Sequence, residues 1–218
     1  NRPVTEIILE KVGPTLILSL TASIISVILG TILGLYAGRN QGSVFDRVLI
    51  SISYFTDALP VFWLALMLIV IFATKLGWLP TSGMYSVRNS YEGVDKFLDL
   101  LKHMILPIAT IVIVRIPYFF RITRSSVIGV MNDNFIRTLR ATGMDEDYIF
   151  NKYVLRNALI PVITAFSMSL ASVIAGVTFL AVKYMPVYEE LKASANDKVA
   201  SIHAGTFKDK TETLISSS

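Results

Sequence analysis

The sequence contains no cysteine and little charge. Without cysteine, the chain can form neither disulfides nor thiolate-ligated metal sites. Charged residues make up 17% of its 218 residues, whereas an ordinary soluble domain has about 25%. Hydrophobic residues reach 53%. This composition excludes an ordinary soluble domain, and the length indicates one domain with at most a small appendage.

Recognisable catalytic motifs are missing as well. The sequence has no G-x-x-x-x-G-K-[ST] phosphate loop, so we do not expect this chain to bind and hydrolyse ATP. It has no H-E-x-x-H motif, and its histidines, His103 and His203, do not have the spacing of a serine hydrolase triad. We therefore expect no catalytic residue, no metal site and no cofactor bound by this chain. The net charge of +4 is expected to collect in cytoplasmic loops and does not indicate nucleic-acid binding.

Four apolar stretches predict membrane-spanning helices, because about 20 apolar residues cross a bilayer. The first and last contain no charged residue, the second contains only Asp57, and Pro107 and Pro117 are expected to interrupt the third. The short loop after the first span carries Arg39 and Arg47, which places it in the cytoplasm. The fold class is thus an all-α polytopic transmembrane helix bundle. Its predicted spans are residues 14–38, 48–74, 103–120 and 158–182.

Three glycines repeat at intervals of four residues near the end of the first span. Gly30, Gly34 and Gly38 fall on one helix face, where they leave a smooth groove that another helix could approach closely. Glycines are also common in membrane helices without such a role. We interpret these three as helix-packing residues.

Asp57, Pro60 and Arg115 are the candidates for a polar translocation path through the bundle. Pro60 predicts a kink in the second span, and the carbonyls that it frees are tolerated where the segment faces protein or water. Asp57 either faces the bundle interior or lies at the interface, if the helix starts just after it. Arg115 could line a polar path, pair with Asp57, or extend towards the cytoplasm beside Arg121 and Arg124. The last of these is favoured.

A polar, basic hairpin at residues 128–157 separates the third and fourth spans. Its apolar positions recur at roughly helical spacing and Gly143 breaks them, which predicts a helix, a glycine turn and a second helix. Asp145, Glu146 and Asp147 suit the positive end of that second helix. Its excess of Lys and Arg places the hairpin in the cytoplasm, either as a docking surface for a soluble partner or as an ordinary basic loop. The apolar positions are Phe135, Leu139, Met144, Ile149, Tyr153 and Leu155.

The chain changes character after the fourth span. We expect residues 1–182 to form the membrane domain and residues 183–218 to form a hydrophilic tail with a flexible end. Alternation of the spans places this tail outside the cytoplasm. Because Asn1 is not a natural start, the sequence suggests a fragment or a processed chain.

Five segments in one order resemble the membrane subunit of binding-protein-dependent ABC importers, in the dipeptide, oligopeptide and nickel permease group. The resemblance covers about residues 2–178. Family members usually begin with a further span before the first and continue to a final span after the fourth. The five segments are RPVTEII, PVFWLALMLIVIFATKLGWLPTSGM, LKHMILPIAT, RITRSSVIGVMNDNFIRTLRATG and YVLRNALIPVIT.

The resemblance implies that the hairpin is the coupling element of that family, the EAA loop, which docks into a groove on the ATPase subunit. Gly143 matches the loop glycine. Where the general pattern has Glu-Ala-Ala, this chain has Arg137, Thr138 and Leu139, an Arg-rich form similar to the peptide-type branch. The residues that the resemblance assigns to ATPase coupling are Phe135, Arg137, Leu139, Arg140, Ala141, Gly143, Asp145 and Tyr148.

The resemblance also implies the partners and the membrane. Two permease subunits, identical or paralogous, form the path across the cell (inner) membrane, and two ATPase subunits that bind ATP and Mg engage their hairpins. An extracytoplasmic binding protein delivers the substrate, for which peptides are the first expectation. The chain would then be a transport subunit and not an enzyme. A second functional hypothesis stays open, in which the chain is a truncated or non-transporting membrane scaffold that recruits a partner through residues 134–156. A small ion channel ranks last.

Overall fold

The computed structural model describes residues 4–83, 94–175 and 194, with side chains from residue 12 onward. The chain divides into two compact units, of which Thr15–Val173 contains everything considered below. Asn1–Pro14 and Ile174–Ser218 make up the other unit. The predicted tail at 183–218 lies outside the described residues except for Ser194, as does the end of the fourth predicted span.

The described part of the chain is helical and contains no strand, which confirms the all-α membrane fold. Among the described residues, three helices are long and apolar enough to cross a bilayer, and a bent pair is a fourth candidate. Two helices contain a wider π-helical stretch, at Ile69–Lys75 and Phe150–Val154. In chain order the helices are α1 (Val4–Arg39), α2 (Val44–Ala58), α3 (Val61–Lys75), α4 (Val94–Met131), α5 (Asn134–Ala141) and α6 (Glu146–Ala175).

The second predicted span is two helices rather than one kinked helix. α2 ends at Ala58, α3 begins at Val61, and their axes differ by 99°. Between them Leu59 and Pro60 are both extended, with ψ of 129°. Proline lacks an N–H and disfavours the helical region for the residue before it, so the chain breaks here. The sequence located the position of the bend and underestimated its size.

The third predicted span is part of a much longer helix. Pro107 and Pro117 both lie inside α4, which runs without a break from Val94 to Met131. The expectation that these prolines interrupt the span was therefore wrong. Each proline removes one intrahelical hydrogen bond, but a membrane helix tolerates this where neighbouring groups satisfy the freed carbonyl. α4 also extends beyond Phe120, so the start of the predicted hairpin at 128 is still α4.

The three spaced glycines bring α1 against α4. A Cβ built at any of them would lie 2.6–2.7 Å from a Cβ atom on α4, closer than real Cβ atoms come. The two helices are therefore in backbone contact, as in other membrane helices that pair through small residues. Residue numbers rise together along both helices, so α1 and α4 run parallel here. The facing pairs are Gly30–Phe119, Gly34–Thr123 and Gly38–Val127.

A buried ion pair ties the start of α2 to α4. The carboxylate of Asp46 is 1% exposed and accepts two hydrogen bonds from the Arg124 guanidinium, at 2.5 and 2.8 Å. The Gly42 N–H also donates to Asp46, at 2.9 Å, and the Asp46 N–H donates to the Ser43 hydroxyl that caps α2. The Asp46 carboxylate thus accepts three hydrogen bonds, two of them from a cation, which is what makes a buried charge tolerable.

We expect Gly34→Ala to destabilise the bundle. The added Cβ would lie 2.6 Å from Thr123 Cβ and 2.8 Å from the Phe120 carbonyl oxygen, and both belong to the facing helix. Such overpacking costs about 1–3 kcal/mol. The thermal midpoint of the purified protein in mild detergent should fall accordingly.

Gly129→Ala is the matched control for that substitution. Gly129 also lies within a membrane helix, but a Cβ there meets nothing within 4 Å. Since alanine favours a helix over glycine by up to about 1 kcal/mol, this variant should be neutral or more stable. Equal midpoints for the two variants would contradict the close approach of α1 to α4.

Asp46→Ala and Arg124→Ala should each lower the midpoint, because Arg124→Ala leaves the buried Asp46 carboxylate without its partner and Asp46→Ala leaves the partly buried Arg124 guanidinium without its partner. The expected cost of either change is on the order of 3 kcal/mol. The double variant Asp46→Ala/Arg124→Ala should lose clearly less than the sum of the two single variants, since neither charge is then left alone. Additive losses would show that the two side chains act independently.

Candidate functional site

The hairpin forms a helix, a tight turn and a second helix, with α5 leading through residues 142–145 into the start of α6. The turn depends on Gly143, whose φ is +79°, a conformation that side chains disfavour. Its N–H donates to the Arg140 carbonyl and closes the end of α5. Asp145 caps α6 by accepting hydrogen bonds from the N–H groups of Asp147 and Tyr148 at 3.0 and 3.1 Å.

A buried apolar cluster holds the hairpin on the bundle. Ile136 of α5 and Ile149 of α6 are both fully buried, and they contact Val127 of α4. Further up α6, Val154 and Ala158 complete the same cluster. Because α4, α5 and α6 all contribute, the hairpin is packed onto the ends of the membrane helices and is not an ordinary loop.

The sequence missed the residue that anchors α5. The expected apolar positions included Phe135, which is exposed, and omitted Ile136, which is fully buried. Leu139 was correctly included, since it packs against the cluster. The signal was present in the spacing of three between Ile136 and Leu139, which places both on one helix face.

Ion pairs add contacts around this cluster. Arg39, the last residue of α1, pairs with Asp147 of the hairpin, and its guanidinium lies 4.8 Å from the centre of the Phe150 ring. Arg140 pairs with Glu146 across the turn and also donates to the Met131 carbonyl at 3.3 Å. This contact between α1 and the hairpin could not be predicted from local sequence, because the two residues are 108 positions apart.

Most of the residues expected to couple to the ATPase lie on the exposed surface of the hairpin. Leu139 is the exception, since it is half-buried against the apolar cluster. Met144 belongs to this surface as well, although it was not among the coupling residues, and it is 38% exposed. The exposed residues from the expected set are Phe135, Arg137, Arg140, Ala141, Gly143, Asp145 and Tyr148.

This surface, which we call the hairpin surface, combines aromatic and basic side chains. Phe135 is 38% exposed and Tyr148 is 46% exposed, although both are large and apolar enough to be buried. Arg137, between them in sequence, has no ion pair to any described residue. Aromatic and arginine side chains are the types that dominate the energetics of protein interfaces. The hairpin surface is thus the strongest candidate for partner binding in the described part of the chain.

Asp57 pairs with an arginine other than Arg115. Its carboxylate lies 2.5 Å from the Arg121 guanidinium, and Arg121 also donates to the Ser53 hydroxyl at 2.7 Å. Both members of the ion pair are about a third exposed. The possible pairing of Asp57 with Arg115 is therefore wrong. Pro60 lies at the break that follows Asp57.

The prediction that Arg115 extends towards the cytoplasm beside Arg121 and Arg124 was wrong. Its Nη1 donates to the Ser169 hydroxyl of α6 at 2.5 Å and reaches the Ser23 hydroxyl of α1 at 3.5 Å. Side chains on a helix point back towards its N-terminus, which for α4 leads away from the hairpin. Arg115 thus joins α1, α4 and α6 within the bundle.

Metal-binding groups are not assembled in the part of the chain that is described. No group of three or more His, Asp or Glu side chains there is placed to hold a metal ion. Two exposed carboxylates of the hairpin, those of Asp147 and Glu146, pair with arginines.

Comparison with known proteins identifies the family. A profile described as "Binding-protein-dependent transport system inner membrane component" matches residues 30–182. The oligopeptide transport system permease protein AppB of Bacillus subtilis is 33% identical over 174 residues, which cover 80% of this chain and 54% of AppB. The dipeptide transport system permease protein DppB of Alkalihalophilus pseudofirmus is 33% identical over 190 residues, covering 81% and 57%.

A third relative agrees with these two. The di/tripeptide transport system permease protein DppB of Pseudomonas aeruginosa is 33% identical over 176 residues, 74% of this chain and 52% of the relative. The chain spans about half the length of the curated relatives it matches. The family profile covers the glycine-lined end of α1, the broken second span, α4 and the whole hairpin. On this match the chain belongs to the family of binding-protein-dependent transport system inner membrane components.

Proposed function

We propose that the chain is the membrane-spanning part of a permease subunit in an ATP-driven peptide importer. The family and the three relatives, all named as peptide permeases, support this function. The structural observation that carries it is the hairpin surface, an exposed aromatic and basic patch packed rigidly onto the ends of the membrane helices. Such a patch suits a soluble ATPase that must move those helices.

The proposed partners follow from the same assignment. Two ATPase subunits would bind and hydrolyse ATP with Mg, a second permease would complete the path, and an extracytoplasmic binding protein would deliver the peptide. This chain would hydrolyse nothing itself. A non-transporting scaffold has no observation in its favour, since the relatives are named as transport components.

The coupling role rests on how the hairpin is held. An ATPase that grips Phe135 and Tyr148 would pull on α5 and on the start of α6. The buried contacts of Ile136 and Ile149 with Val127 would pass that displacement to α4. The paired arginines, Arg140 among them, would keep the turn in shape while it is pulled.

The path residues have a narrower proposed role. The break at Pro60 and the Asp57–Arg121 pair lie on one side of the bundle, where a discontinuous span can line a path. We propose that α2 and α3 shift relative to each other at this break when the path opens.

Phe135→Ala should weaken binding of the ATPase subunits about tenfold or more, because a central aromatic anchor contributes upwards of about 1.4 kcal/mol. Co-purification from mild detergent measures the bound ATPase, and uptake of a labelled peptide by cells measures transport. Phe97→Ala is the matched control, since Phe97 is also exposed but lies at the far end of α4. Equal loss for both variants would contradict the role of the hairpin surface.

Gly143→Pro should abolish docking of the ATPase while the membrane bundle stays folded. Proline fixes φ near −65°, whereas Gly143 requires +79°, so the turn must rearrange. Gly77→Pro makes the same change at a φ of +64° in the loop after α3, outside the hairpin, and should leave docking intact. Normal assembly of the Gly143→Pro complex would refute the coupling function of the hairpin.

A further inference from the structure

A cavity of about 360 Å³ opens between α4 and α6, with Arg115 in its wall. The hydroxyls of Ser169 and Ser172 lie on the α6 side. Tyr118 and Met168 supply larger, partly apolar surfaces, and both are well exposed. The cavity therefore combines one cation, two hydroxyls and apolar walls, which is the usual composition of a site for a small polar ligand.

Arg115 has N–H donors that form no hydrogen bond to any described residue. Only its Nη1 forms hydrogen bonds, both to neutral serine hydroxyls, and no carboxylate of residues 12–83 or 94–175 pairs with it. The next two arginines along α4 differ, because Arg121 pairs with Asp57 and Arg124 pairs with Asp46. The Nε and Nη2 groups of Arg115 thus donate to nothing in the described structure.

The position of Arg115 along α4 makes its unused donors unusual. At 1.5 Å per residue, about 14 Å of α4 separates Arg115 from Arg124, and about 18 Å separates it from His103 on the other side. Together these lengths are close to the thickness of the hydrocarbon core, about 30 Å. Arg115 therefore lies well inside the candidate membrane span of α4, far from either end of that helix, where an ionised side chain is costly and generally has a functional role.

We propose that Arg115 binds the carboxylate of the transported substrate in this cavity, an inference that rests on the proposed import of peptides. A peptide carries a carboxylate at its C-terminus, and a guanidinium binds a carboxylate through two parallel hydrogen bonds. Ser169 and Ser23 hold the guanidinium by Nη1, and they leave Nε and Nη2 for the ligand. The surfaces of Tyr118 and Met168 contact the rest of the peptide.

The experiment compares two peptides that differ only in this group. The complex with its second permease and its ATPases is purified into lipid nanodiscs without the binding protein. Trialanine and trialanine amide are then titrated into it by calorimetry. Wild type should bind trialanine at least about tenfold more tightly than trialanine amide, since a charge-assisted bidentate contact is lost in the amide.

Three variants separate ligand binding from a structural role of the arginine. Arg115→Gln should bring the affinities for acid and amide within about twofold of each other. Arg115→Lys keeps the charge and should retain part of the preference for the acid. Ser169→Ala removes a support of the guanidinium but no charge, so the preference should persist.

Several results would overturn the carboxylate site. One is a wild-type complex that binds neither peptide or does not distinguish them. Another is an Arg115→Gln variant that keeps the preference for the acid. If Arg115 instead pairs with a carboxylate of the second permease, wild type will not prefer the acid and Arg115→Gln will reduce the yield of the complex.

The site and the proposed function can fail separately. If trialanine does not bind but Phe135→Ala still releases the ATPases, the carboxylate site is wrong and the permease function stands. If wild type purifies without any ATPase, the proposed function fails, and the ratio of the two affinities still decides whether Arg115 binds a carboxylate.

Discussion

The burial of Ile136 and Ile149 against the C-terminal end of α4 is the contact on which the rest of the structure depends. Full burial of two such side chains stabilises the contact by about 1.5–3 kcal/mol each. The Arg39–Asp147 pair is exposed, with side-chain exposures of 39% and 69%, and pairs of that kind contribute at most about 1 kcal/mol. The apolar cluster, not the ion pairs, therefore joins the hairpin to the bundle.

Further contacts join the helices of the bundle beneath this cluster. The glycines of α1 allow it to touch the backbone of α4, so Val127 faces Gly38 and also belongs to the cluster under the hairpin. The Asp46–Arg124 pair fastens α2 to the same part of α4. α4 thus contacts α1, α2, α5 and α6 near one end, and a displacement of the hairpin reaches several membrane helices through it.

Much of this architecture could be predicted from the sequence, because charge-free apolar stretches and the Gly143 turn are local signals. The register of α5 could not, since Phe135 and Ile136 are adjacent and only packing shows which is buried. The partner of Asp57 could not be predicted either, because Arg115 and Arg121 are both on α4 and only the path of α2 decides which of them Asp57 contacts. The prolines of α4 led to a wrong prediction, because the surrounding structure keeps this helix continuous although proline disfavours a helix interior.

Under the proposed function, the hairpin and the membrane helices move as one body when the partner ATPases close. Residues 1–218 contain no cysteine, so spin labels can be attached at Thr138→Cys in α5 and Ser51→Cys in α2, both exposed positions, in a complex whose other cysteines have been removed. Pulsed electron paramagnetic resonance then measures the distance between the two labels in the assembled complex, with and without ATP. We predict a narrow distribution that does not change with ATP while peptide uptake remains ATP-dependent. A distribution that shifts or broadens on ATP binding would show that the hairpin moves independently of α2, and movement of the two as one body would then be wrong.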